Sequence, residues 1–330
     1  MMKKVLVAFW LALAAVSSAF AAMSDEAFVK LCGQENAAPQ LLAALNDGAN
    51  PNARDGSYTV LGEACFYAWR DREGMDKVVM ALLDKGANVN ATCDSEGETP
   101  LIRAAEECGF EVVKRMIELG ANVNAQSETG LTALGKARTR EIAQLLLDAG
   151  AKVNNDGPNT TLMFACDEPD RPEVVELLIA RGADVNAKNG RGVSPILFAA
   201  VHDCAGAVKV LLAHGANVND RDRLGRTPLI SAARAAGEST ATLAALLDCG
   251  ADIDAHYDDE HEYTALYEAV SSHIKADKAL YLLDRGAKAT DPKGYVYGYY
   301  DLLVRGKGKK FKMDEAERQK LIDRIHPVKK

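Results

Sequence analysis

A glycine-alanine pair followed by an acid, an amide or lysine recurs at Gly48, Gly86, Gly120, Gly150, Gly182, Gly215, Gly250 and Gly286. The intervals run from 30 to 38 residues. A period of that length means one supersecondary unit copied along the chain, and it narrows the possible folds more than any composition figure does. Ahead of each pair lies an apolar stripe, such as Val112, Val113, Met116 and Ile117, or Val174, Val175, Leu178 and Ile179. The i, i+3, i+4 spacing is one face of a helix. Glycine just past the last turn ends such a helix, because it reaches positive φ without a Cβ clash. Asn-Val-Asn or Asp-Val-Asn and a polar loop then follow.

A second helix start lies 10 to 14 residues beyond each of the first seven pairs. In order these are Thr59-Val60-Leu61, Thr99-Pro100-Leu101, Thr132-Ala133-Leu134, Thr160-Thr161-Leu162, Ser194-Pro195-Ile196, Thr227-Pro228-Leu229 and Thr264-Ala265-Leu266. Thr or Ser caps free amides there, and Pro suits the first helical position. Small pairs follow at Ala104-Ala105, Ala199-Ala200 and Ala232-Ala233, where helices of neighbouring units can approach closely. Few aromatics (6%) leave Leu and small residues to do the packing, which favours helices.

The pattern resembles the ankyrin repeat: a β-turn finger, a short inner helix, and an outer helix ending in Gly-Ala-Asp-Val-Asn. The resemblance covers about Ser24 to Thr290. It implies an all-α solenoid of stacked helix-turn-helix units with β-turn fingers, about seven full repeats plus terminal caps. One departure stands out. The family usually carries His after Thr-Pro-Leu, where this chain has Gly62, Ile102, Gly135, Met163, Leu197, Ile230 or Tyr267. The hydrogen bonds of that His must be replaced or absent.

Residues 1–21 read as a cleaved signal peptide: Lys3 and Lys4, an apolar run from Val5 to Val16, and the small-residue site Ala19-Phe20-Ala21. The run is shorter than the roughly 20 residues of a spanning helix, so no integral membrane span is expected. Residues 22–290 read as the array, with an amino-terminal cap over about 24–48, and 291–330 as a basic, helical carboxy-terminal cap. Stacked units share one continuous core, so the array is expected to behave as one quasi-linear domain. From Leu303 to Lys330 ten bases face four acids, although the whole chain carries −8. Such a tail can make weak contact with anionic lipid or fold back as a cap. Tyr295, Tyr297, Tyr299 and Tyr300 favour the cap, as do two expected closing helices, Tyr295 to Val304 and Asp314 to Ile325.

No nucleophile elbow, zinc-hydrolase or phosphate-loop motif is present, so no catalytic residue, cofactor or metal is assigned. His256 and His261 lie in an acidic finger, Asp252 to Glu262, which reads as a solvated tip. Net acidity argues against nucleic acid as a partner. Of seven cysteines, Cys65 and Cys166 take the second place of the small pair and read as buried, while Cys93 in a finger and Cys204 in a turn are expected to be exposed.

The partner is expected to be another protein, met at finger tips and inner-helix turns as the family resemblance implies. The second unit is longest, with 27 residues from Thr59 to Gly86, and its extra length brings in Tyr67 and Trp69. Insertions map to loops, and loops often bind. Acidic candidates are Glu96, Glu98, Glu106 and Glu107; basic ones are Lys188, Arg191, Arg221, Arg223, Arg226 and Arg234; His202, His261 and Tyr263 complete the set. An acidic, a basic and again an acidic zone would steer a charge-complementary partner. The leader and the resemblance together imply a periplasmic or secreted bacterial protein that binds a toxin or effector enzyme as an immunity protein. A stabilising partner of a periplasmic enzyme, for example in oxidative-stress defence, and a host-directed secreted effector are the alternatives.

Overall fold

The computed structural model describes residues 23–237, 239–257, 263–271, 276–289 and 315–325. The chain divides into two compact units, 1–161 and 162–330. In the first, α1 (Asp25–Leu31) and α2 (Ala37–Asn46) precede a two-stranded finger, β1 (Arg54–Asp55) antiparallel to β2 (Tyr58–Thr59). Then come α3 (Val60–Phe66), α4 (Arg72–Asp84), α5 (Pro100–Glu107), α6 (Phe110–Glu118), α7 (Ala133–Lys136) and α8 (Arg140–Asp148). Inner helices α3, α5 and α7 stack in sequence, as do outer helices α2, α4, α6 and α8. Helix α9 (Thr161–Ala165) begins at the division between the units.

The second unit continues the alternation with α10 (Pro172–Ala180), α11 (Pro195–Val201), α12 (Ala205–Ala213), α13 (Pro228–Arg234) and α14 (Ala241–Asp248). A second finger, β3 (His256–Tyr257) against β4 (Tyr263–Thr264), leads into α15 (Ala265–Ser271) and α16 (Ala276–Asp284). Inner helices α11, α13 and α15 stack, and so do outer helices α10, α12 and α14. Helix α17 (Glu315–Ile325) packs on α16, burying Leu321 and Ile325 and pairing Arg324 with Asp284 at 2.7 Å. The expected helix from Tyr295 to Val304, like the leader, lies outside the described residues. This is an ankyrin-repeat solenoid: stacked helix-turn-helix units, mostly helical, with short fingers.

The small pairs work as spacers. Ala104, Ala105, Ala199, Ala200, Ala232 and Ala233 are fully buried between stacked inner helices, as is Cys65, and Cys166 is fully buried too. Leu82, Met116 and Leu146 fill the outer-helix seams of the first unit. Deleting one such side chain costs about 2–5 kcal/mol, since a close-packed seam relaxes poorly. All eight glycines of the Gly-Ala pairs have φ between 82° and 97°. A Cβ at any of them would meet nothing within 4 Å, so backbone conformation alone demands glycine there.

An asparagine after the Gly-Ala pair ties several repeats to the next one. Asn90 Nδ2 donates to the Gly120 carbonyl at 3.0 Å, and Asn90 Oδ1 accepts from the Asn122 amide at 2.8 Å. Asn52 and Asn124 repeat both bonds in the first unit, and Asn219 does so in the second. Asp254 replaces the amide at the last step. It accepts from the Lys288 amide at 2.9 Å and pairs with Lys288 Nζ at 3.1 Å.

Two cysteine expectations are corrected. Cys93 is buried because its side chain fills the space left by Gly62: a Cβ on Gly62 would lie 2.1 Å from Cys93 Cβ. The family's histidine position in that repeat is therefore occupied by a neighbour's thiol. Cys204 is buried because it turns inward at the start of α12, with its amide bonded to the Ala199 carbonyl at 2.9 Å. The caps compensate in part for the missing histidines, since Thr59, Thr132, Thr227 and Thr264 each accept an amide three residues on, at 3.1–3.3 Å.

Candidate functional site

The longest repeat places its extra residues at the end of α3. A 3-10 turn, Tyr67–Trp69, prolongs the inner helix before Asp71 caps α4, its carboxylate accepting the Gly74 amide at 3.0 Å. Arg70 fixes this turn. Its guanidinium donates to the Gly33 carbonyl at 2.7 Å and lies 4.8 Å from the Tyr67 ring centre and 4.9 Å from that of Trp69. Tyr67 is half-buried, with its hydroxyl over the Gly33 backbone; a Cβ on Gly33 would come within 3.1 Å of it. Trp69 is 57% exposed, Phe66 46% and Tyr58 45%. The Phe66 and Tyr67 rings stand 5.1 Å apart, edge to face, and exposed aromatic side chains are common anchors of protein recognition.

A cavity of about 590 Å³ opens beside this turn, between the first finger, α3 and the loop before α5. Tyr58, Phe66 and Tyr67 are the aromatic residues of its lining. The same lining carries five carboxylates, Asp55, Glu63, Asp94, Glu96 and Glu98, against two cations, Lys30 and Arg103.

Arg103 organises the acidic side. Its residue is only 8% exposed, and its guanidinium donates from Nη1 to Glu63 at 2.8 Å, from Nη2 to Asp94 at 2.9 Å and from Nε to Glu98 at 3.1 Å. It also lies 5.2 Å from the Phe66 ring centre. Burial pushes the Glu98 carboxyl up, more than Arg103 pulls it down. At Asp94 burial is outweighed by the amide of Glu98 and the guanidinium, and its pKa falls. Glu98 is therefore spoken for, whereas Glu96 is exposed and its carboxylate has no partner among the described residues. Glu106 and Glu107 lie farther along the first unit, paired with Lys136 at 2.9 Å and Arg138 at 3.8 Å. Burial, then the charge of Glu106, raises the Glu107 carboxyl.

In the second unit much of the expected basic zone is used internally. Lys188 pairs with Asp220 at 2.6 Å. Arg226 pairs with Asp222 at 2.7 Å, and Arg221 donates to the carbonyls of Gly225 and His256 at 2.7 and 2.8 Å. Reversing the charges of Arg221 and Arg226 would thus loosen the finger itself. Arg191, Arg223 and Arg234 are exposed and carry no ion pair among the described residues. His202 stacks on Phe198 at 4.8 Å and meets Asp167 through Nδ1 at 2.7 Å. Tyr263 packs against Tyr257 and Tyr267 at 5.5 and 4.5 Å, and the Tyr257 hydroxyl donates to Glu268. His261 lies outside the described residues. Among them no three His, Cys, Asp or Glu side chains converge as metal ligands, and no helix is long and apolar enough to cross a membrane.

A sequence model of the family "Ankyrin repeats (3 copies)" matches residues 29–127, 109–189, 162–257 and 196–293. The chain belongs to the ankyrin-repeat family. It is 35% identical over 113 residues to the Ankyrin repeat and KH domain-containing protein mask of Drosophila melanogaster, covering 32% of this chain and 3% of that protein. It is 30% identical over 166 residues to the B-cell lymphoma 3 protein homolog of Mus musculus, covering 49% of this chain and 36% of that one. The chain thus spans a minor part of these relatives. The crystal structure of the human ASB11 ankyrin repeat domain superposes with a TM-score of 0.50 at 24% identity, over 74% of this chain and 96% of that one. That likeness concerns the fold. The repeats suit the chain to protein–protein interaction, and ankyrin-repeat homologues are generally interaction scaffolds.

Proposed function

We propose that this chain is an exported, non-enzymatic binding protein that docks on an incoming toxin or effector enzyme and neutralises it, as an immunity protein does. The observation that carries the reading is the surface around the longest repeat, where exposed Tyr58 and Phe66 line a cavity with five carboxylates and exposed Trp69 lines a neighbouring hollow with Glu35 and Asp71. Rigid aromatic anchors give affinity, because little side-chain freedom is lost on binding. An acidic rim speeds encounter with a basic partner and suits the cationic cleft of an enzyme acting on anionic substrates. The leader supports export to the periplasm or beyond.

The test begins with the mature chain, residues 22–330, as bait in periplasmic extract, culture medium and the secreted proteins of competing strains. The expected result is one enzyme or toxin retained in fixed stoichiometry, whose activity falls when the chain is added. A retained enzyme that gains stability and keeps full activity would replace neutralisation with a stabilising role. Cytoplasmic retention of the full chain, or hydrolase or transferase activity of the pure protein, would overturn the reading.

A further inference from the structure

The cavity beside the insert has walls of two chemistries, and one occupant satisfies both. Flat rings of Tyr58 and Phe66 offer stacking surface, while the unpaired Glu96 carboxylate and the surplus of acids over bases set a negative field. An anion is repelled by that field, and a purely apolar group would strip water from the carboxylates without return. A cation with a planar, weakly hydrated head suits both walls. The protein itself supplies the precedent: Arg103 lies against Phe66 and is forked among Glu63, Asp94 and Glu98. Its Nε, Nη1 and Nη2 already donate to those carboxylates, and no ion pair joins it to Glu96. Lysine fits less well, because its compact ammonium holds water strongly and cannot stack.

We propose that this cavity seats an arginine side chain of the bound protein, its guanidinium lying on the Tyr58 and Phe66 rings and pointing toward Glu96. The inference rests on the protein-binding reading above and names the chemistry of the contact. The cavity, at about 590 Å³, accommodates a whole side chain together with some of its flanking backbone.

The probes are dye-labelled Gly-Arg-Gly-Arg-Gly peptides and their lysine and citrulline counterparts, titrated with the mature chain and followed by anisotropy. Citrulline keeps the shape and removes the charge. Binding of the arginine peptide should weaken with added salt, and the citrulline peptide should bind at least about tenfold more weakly. Tyr58→Ala and Glu96→Lys, each with wild-type far-ultraviolet dichroism, should each lower affinity for the arginine peptide by about tenfold. Lys209→Gln, exposed on outer helix α12, should leave it unchanged. Equal binding of the arginine and citrulline peptides, wild-type affinity in both cavity variants, or no binding of the arginine peptide would each overturn the proposal. The two readings fail separately. If the double variant Tyr58→Ala/Glu96→Lys retains the captured partner at wild-type affinity, the cavity is not the contact and protein binding stands. If the wild-type chain retains no partner from any extract while the arginine peptide binds selectively, the cavity chemistry stands and the neutralising role falls.

Discussion

Replacing Arg103 with methionine tests whether the acidic cavity is held open by a single buried cation. Methionine keeps much of the volume and the contact with Phe66 but removes three charged hydrogen bonds, to Glu63, Asp94 and Glu98. Breaking a buried pair costs about 3–5 kcal/mol, mostly from the charges left behind. Here the partner side chains are 14%, 10% and 21% exposed, so water recovers part of that and the low end, about 3 kcal/mol, is expected. In a cooperative unit of this size the melting temperature should fall by about 6–12 °C. Acid should close the gap. In the wild type Asp94 has a lowered pKa, so its stabilisation is present above the usual carboxylate range and is lost as pH falls through the folded-state value. In the variant the Asp94 and Glu98 carboxylates lose the guanidinium and repel each other, so both titrate higher than in the wild type. The folded state then binds more protons than the unfolded chain, and stability is regained as pH falls through those raised values. Thermal melts followed by circular dichroism from neutral to mildly acid pH measure both effects. A deficit under about 1 kcal/mol at neutral pH, or one that does not shrink in acid, would mean that solvent already screens these carboxylates and that Arg103 does not organise the cavity.

Three further outcomes follow from the repeats. Gly120→Ala should cost about 1 kcal/mol through backbone strain at φ +82° despite open space around the position, read from urea denaturation; no loss would show that the turn adapts freely. Asn90→Ala removes one donor and one acceptor that bridge consecutive repeats at 3.0 and 2.8 Å, and should cost about 1–3 kcal/mol; the same melt with Asn90→Asp, which keeps the acceptor alone, should fall between. Native protein treated with a thiol-reactive chromophore should label Cys249 rapidly, because Cys32, Cys65, Cys93, Cys108, Cys166 and Cys204 are buried and free. Burial pushes the Cys93 and Cys204 thiols up to about 12, so rapid labelling of either in native protein would contradict the packing described.

What the sequence disclosed and what it hid divide along a physical line. Helix ends and finger positions follow from local chemistry, since a glycine at positive φ and a capping threonine each act within a few residues of themselves, and the stacking order follows from the period itself. That is why the Gly-Ala spacing led to the fold. Arg103 was hidden because its three carboxylates come from the preceding inner helix and its own finger, and none of them marks the arginine from its neighbourhood in the chain. Glu98, read from its place in a polar finger, seemed as available as Glu96, yet only one of them is free. Cys93 misled for the same reason, since its burial depends on Gly62 one repeat earlier; paired absences across repeats, a missing Cβ at 62 and a small apolar residue at 93, were the one signal available. Lys278 is the opposite extreme, a fully buried ammonium that donates to the carbonyls of Ala232 and Ala235 and faces Asp203 at 3.5 Å, with burial pulling its pKa down. Its stripe on α16 looks like any solvated helix face. In a repeat array the period fixes the scaffold, and charges that break the period, such as Arg103 and Lys278, are neutralised between repeats, where one-dimensional reading has least purchase. Of the candidate contact residues, Glu96 beside the exposed rings in one unit and Arg191, Arg223 and Arg234 in the other are exposed with no ion pair among the described residues, so their charge is left to offer a partner.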